Sequence, residues 1–216
     1  MKNIFFYIIK KNNLFIILSS IFCLSQMSFS QSRYNSVYEN KFIVGINIID
    51  DTFTKTHNAF NYDQQWNIPA YPSYFGYNRL VSEKISIEGI FTMNNYEAKK
   101  LVDGLFIPVE QKYYAFDLNA KYNLNNIIYN IDILSNFEPF VALGAGITSI
   151  DSESRPTINY GFGTYIWFEK FENCCSDRNN ILNHLGLIFQ TMGKSSIDQQ
   201  KYGNQIQHTF GIVYRF

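Results

Sequence analysis

Residues 204–216 read Asn-Gln-Ile-Gln-His-Thr-Phe-Gly-Ile-Val-Tyr-Arg-Phe, and the sequence stops there on an aromatic. In steps of two, Phe216, Tyr214, Ile212, Phe210, His208 and Ile206 make an apolar face with a single imidazole. Arg215, Val213, Gly211, Thr209 and Gln207 make the other face, mostly small or polar. Period-two alternation over this length specifies a β-strand whose faces meet two different environments. Left as the edge of a soluble sheet, such a strand is an aggregation hazard. In a closed barrel it is the partner of the first strand, so the rest of the sequence is read for other strands of the same kind.

Working outward, eight such segments are found. The first, Lys41 to Asp50, sets Val44, Ile46 and Ile48 against Gly45 and Asn47. The second, about Tyr71 to Leu80, has Phe75 and Tyr77 as its apolar parity, and a tight turn at Val81 to Glu83 follows it. The third, Lys84 to Asn95, sets Ile85, Ile87, Phe91 and Met93 against Ser86, Glu88, Thr92 and Asn94. The fourth, Glu110 to Tyr122, sets Tyr114, Phe116 and Leu118 against Asp117, Asn119 and Lys121. The fifth is Glu138 to Ile150, the sixth Thr157 to Phe168 and the seventh Ile181 to Met192, with residues 204–216 as the eighth. Long polar loops are expected at 51–69, 96–109 and 193–203, and a short one at 151–156. For 123–136, strand extension and one helical turn both fit the residues.

An even count of alternating segments, each roughly 10 residues, matches the transmembrane barrel pattern. The expected fold class is therefore all-β: an eight-stranded antiparallel up-and-down transmembrane β-barrel. Gly144, Gly146, Gly161 and Gly163 share a parity with Glu88, Asp117, Lys121, Gln190 and Arg215. Those charges suit a narrow polar interior better than a ligand pocket. The expectation is a lumen network of Glu88, Asp117, Lys121 and Arg215, with each acid near Lys121 or Arg215. Unpaired charges in a low dielectric cost several kcal/mol.

The start of the chain reads as an address. Lys2, Lys10 and Lys11 precede an apolar stretch, Leu14 to Leu24, too short to span a bilayer. Ser28 and Ser30 are the small residues of a cleavage site. Residues 1–30 are expected to be a signal peptide and 31–216 the barrel domain. Basic and acidic residues balance at 18 each, which gives no footprint for nucleic acid. The 20 phenylalanines and 16 tyrosines fall mostly in the alternating segments, as aromatic girdles require. Cys174 and Cys175 are adjacent and lack metal-ligand spacing; they are read as incidental turn residues.

Two likenesses add to this. Thr209, Gly211, Tyr214 and Phe216 fit polar-x-Gly-x-x-aromatic-x-aromatic, which resembles the C-terminal signal read by the outer membrane barrel assembly machinery. Residues 137–146, 160–168, 190–194 and 207–216 together resemble the eight-stranded N-terminal barrel of OmpA-family proteins of the Bacteroidetes type. That likeness covers nearly all of 31–216. It implies export to the outer membrane of a Gram-negative cell, contact with outer membrane lipids and lipopolysaccharide, no cofactor and no catalytic residues. The family often adds a peptidoglycan-binding domain, while this sequence ends at the barrel, so a cell-wall tether is not carried over.

The histidines are His57, His184 and His208. His57 is read as a loop residue and His184 as an interior residue near the periplasmic end. His208 has lipid parity near the outer rim, where an amphipathic ring is tolerated. Some eight-stranded outer membrane barrels modify lipid A, and such chemistry needs a base beside a hydroxyl, oriented by a third group. His208 with Ser195 and Ser196 is the arrangement considered for it. The reading favoured is a non-enzymatic barrel, structural, adhesive or surface-interacting through its outer loops, with an unknown extracellular partner. A small pore and a lipid A-modifying enzyme are the alternatives.

Overall fold

The computed structural model describes residues 40–50, 62–102, 105–125, 136–151, 153–168, 181–197 and 204–216. The expected signal peptide, His57, both cysteines and most of 123–136 lie outside them. Eight long strands form the wall: β1 Asn40–Asp50, β2 Tyr74–Leu80, β3 Ile85–Tyr96, β4 Gln111–Asn123, β5 Phe137–Ile150, β6 Glu153–Trp167, β7 Leu185–Ser196 and β8 Asn204–Arg215. Each pairs antiparallel with its neighbour in sequence, and β8 pairs with β1 from Lys41↔Arg215 to Asp50↔Ile206. The fold is thus a closed, eight-stranded, antiparallel up-and-down barrel. Closure satisfies the backbone of both terminal strands and leaves no edge.

The alternation settles which face is which. Phe116, Leu118, Leu143, Phe162 and Ile212 stand on the outside, each more than half exposed. Glu88, Asp117, Lys121, Gln190 and Lys194 are turned inward and buried. The polarity is the reverse of a water-soluble barrel.

Three boundaries differ from the sequence reading. β2 begins at Tyr74 rather than Tyr71 because Pro72 has no amide hydrogen to donate. Ser73 takes over: its Oγ accepts the Asn47 amide at 2.7 Å, and its own amide donates to the Gly45 carbonyl. Above it, Trp66–Asn67 pairs with Ile49 and Asp50, and the Asn94 amide group donates to the carbonyls of Asn47 and Asn67. A loop thereby completes the wall between β1 and β3.

β6 extends back to Glu153 through Pro156, leaving a tight turn at Asp151, whose φ is 46°. β7 starts at Leu185, since Ile181–His184 is a single 3₁₀ turn, and it runs on to Ser196 where a loop from Gly193 was expected.

Candidate functional site: a cross-braced lumen and a polar row on the outer wall

The lumen is filled in three tiers. Nearest the chain ends, the Lys41 ammonium lies 2.8 Å from Glu138 Oε1. Glu138 also accepts from Trp167 Nε1 at 2.9 Å and Asn123 Nδ2 at 2.7 Å. Arg215 stacks its guanidinium 4.1 Å from the Trp167 ring centroid and donates from Nε to the Asn183 carbonyl. Strands β1, β4, β5, β6 and β8 are tied together here.

In the middle tier, Lys121 Nζ is 2.8 Å from Glu88. It also donates to Tyr165 Oη at 2.9 Å and Gln190 Oε1 at 3.1 Å, and sits 4.0 Å from the Phe140 ring centroid. Gln190 passes the chain of bonds on to Tyr74 Oη at 2.9 Å. Lys121 thus spends its three donors on three different strands, which a lysine can do because its ammonium has three donors and no acceptor.

Toward the loop end, Asp117 Oδ2 is 2.6 Å from Lys194 Nζ, and Asp117 Oδ1 accepts from Asn159 at 3.0 Å. Tyr113 Oη accepts from Gln205 and Gln207, each at 2.6 Å, and Tyr96 Oη donates to Gln205.

Of the expected lumen residues, Glu88 and Lys121 are brought into contact. Asp117 is not with them: it pairs with Lys194. Arg215 is one tier away, against Trp167 and the Asn183 carbonyl. Lys194 is not among the lumen residues expected from the sequence, because Gly193 reads as the start of a loop, although its parity with Gln190 marks it as inward. Lys41 and Glu138 lie on inward parities at the strand starts.

The expected assembly signal lies at the seam. Gly45 and Gly211 face each other across β1 and β8. A Cβ on Gly211 would lie 2.6 Å from the Val44 carbonyl oxygen, so this approach requires glycine. Thr209 and Arg215 point inward, while Tyr214 and Phe216 stack on each other outside, 6.1 Å between centroids. The Phe216 backbone exchanges two hydrogen bonds with Asn40.

His184 is placed differently from expectation, while His208 keeps its outward parity with another partner. His184 sits in the 3₁₀ turn, stacked on the outward Tyr214 at 5.5 Å, with Nδ1 2.8 Å from the Arg215 carbonyl. His208 faces outward, but its hydroxyl partner is Thr191, at 3.0 Å, not Ser195 or Ser196, which belong to β7. Its other nitrogen is 3.3 Å from Asp50 Oδ2. Among the described residues, no group of His, Cys, Asp and Glu is arranged to hold a metal.

No family model and no curated relative matches the sequence. Solved structures do. The N-terminal β-barrel domain of Pseudomonas aeruginosa OprF superposes with a TM-score of 0.50 at 8% identity, covering 83% of this chain and 98% of that one. The outer membrane protein OprG from Pseudomonas aeruginosa gives 0.50 at 10%, covering 83% and 96%. At these identities the likeness speaks for the fold: a small barrel of the outer membrane type.

Proposed function

We propose that the chain is an outer membrane protein with a closed lumen that works at the cell surface through the loops at one end of its barrel. The carrying observation is the inverted polarity, with an apolar exterior around an interior braced by charge. An exterior of this kind needs a bilayer, and only a closed barrel lets strands cross one with every backbone group paired. An eight-stranded interior is just wide enough for side chains to fill, which favours a structural or adhesive role over a pore.

One end carries the start of β1, the end of β8 and the tight turn between β2 and β3. The other carries the segments around 62–73 and 97–110. There Phe106 and Val109 are about two-thirds exposed beyond the ends of β3 and β4. Apolar groups exposed together on a loop suit contact with another surface.

Protease added to intact cells tests the topology: cleavage within 51–69 with both chain ends protected is expected. An accessible C-terminus with protected loops refutes it. For the role, cells expressing the protein are compared with cells carrying Phe106→Ser and Val109→Ser, scoring attachment to protein-coated surfaces. Loss of attachment at equal surface level is expected, and unchanged attachment counts against a loop-borne role.

A further inference from the structure

On the outer face, β7, β8 and β1 share a polar row. Thr191 on β7 lies directly across from His208 on β8, and Asp50 on β1 is two residues beyond Ile48, the other cross-strand partner of His208. The imidazole bridges them, 3.0 Å from Thr191 and 3.3 Å from Asp50, and Trp66 stacks over it at 5.3 Å. Ionisable groups on a lipid-facing wall are costly and mark function by default.

The row divides two grooves, and Thr191 lines both. A groove of about 600 Å³ runs toward the loop end, bordered by Asp50, Tyr160, Ser195 and Asn204. It is open partly because Gly193 places no side chain there; the Tyr160 ring lies 2.8 Å from where a Cβ would be. A second groove, about 430 Å³, runs toward the middle of the wall between Phe162, Phe189, Phe210 and Ile48.

Along the strands the order is hydroxyls, an amide and a carboxylate above, then the Thr191–His208 pair, then aromatic rings below. That is the order of a membrane amphiphile standing in one leaflet, head toward the loops and chain toward the bilayer centre. Phosphate is a poor match for the upper groove. Lys194 borders it, but its ammonium is 2.6 Å from Asp117 in the lumen, and Asp50 repels anions. A carboxylate, an amide, a hydroxyl and a phenol ring suit the hydroxyls and flat face of a neutral sugar.

We propose that this wall docks an acylated neutral sugar. The sugar occupies the upper groove, one acyl chain the lower, and the ester or amide linkage meets Thr191 and His208. This rests on the membrane-embedded reading above.

The two tryptophans of the chain make the test direct. Trp66 stacks on His208, and Trp167 is buried in the lumen tier farthest from the loops. The full chain is reconstituted in phosphatidylcholine nanodiscs containing a neutral diacylglucose lipid brominated on its chains, or brominated phosphatidylcholine. Saturable quenching by the glycolipid is expected at a mole fraction about tenfold lower than for the phospholipid, equivalent to ~1.4 kcal/mol. Thr191→Val, which keeps the Asp50–His208–Trp66 stack, should abolish that difference without changing heat-modifiable gel mobility. Equal quenching by both lipids, or selectivity unaffected by Thr191→Val, overturns the proposal. Release of free fatty acid dependent on Thr191 also overturns it, making the row a site of turnover rather than docking. Failure to insert into nanodiscs at all instead refutes the membrane reading, before any selectivity is measured.

Discussion

Lys121 and Glu88 are both almost fully buried and are 2.8 Å apart. The attraction between such charges is offset by their desolvation, so the pair's net worth is small, yet breaking it is expensive. Lys121→Met should destabilise the barrel by about 3–5 kcal/mol, because Glu88 is left without its counter-charge. Adding Glu88→Gln should recover most of that loss. The Arg155–Glu153 pair is the contrast: Glu153 is largely exposed, and removing it should cost ~1 kcal/mol or less. Urea unfolding of the folded protein in lipid vesicles measures all three. A Lys121→Met variant as stable as wild type would show that the middle tier does not brace the lumen. Which residues face inward was legible from parity alone, and Glu88, Asp117, Lys121 and Arg215 were all found that way. Which charges pair was not, because partners come from strands far apart in sequence, and stagger around the barrel sets their heights. Asp117 meets Lys194 for that reason, and no period-two rule predicts it.

At the level of the strand, existence and type were readable for all eight, while the ends were decided by local hydrogen bonding. Pro72 trims β2, a turn at Asp151 lengthens β6, and β7 carries on through Gly193 because its backbone still pairs with β6 and β8. The closing seam supplies two tests. Gly211→Val drives a side chain against the Val44 carbonyl and the Gly45 Cα, both backbone and unable to rotate aside. The strands must separate there, and overpacking of this kind costs about 1–3 kcal/mol; denaturant midpoints should fall accordingly. Deleting Phe216 is a different matter. Its ring is half exposed and its backbone makes two bonds to Asn40, so stability in detergent should change little. Recognition of the C-terminal strand during assembly should suffer much more. Periplasmic accumulation in cells, set beside heat-modified mobility after refolding, separates the two effects. Normal assembly of the truncated chain would mean that residues 209–216 act only as a strand.

For the whole molecule, the tiers decide whether the barrel conducts. Each is held from several directions: the lowest by Lys41, Glu138, Trp167 and Arg215, the middle by Lys121 and its partners, the uppermost by Asp117, Lys194 and Tyr113. An ion entering the lumen would have to break charge-assisted hydrogen bonds at three heights in succession, and no single substitution removes more than one of them. Planar-bilayer recordings of the pure folded protein should therefore show no steady, large conductance. Replacing the middle tier, with Glu88, Lys121 and Tyr165 all changed to Ala, should still leave the bilayer closed for most of the record. The Asp117–Lys194 and Arg215–Trp167 tiers stand above and below the gap. Steady current appears only when the uppermost and lowest tiers are removed as well. Large, continuous conductance by the wild-type barrel would mean that the tiers rearrange in a bilayer, and the case for a protein that works through its loops would lose its physical basis.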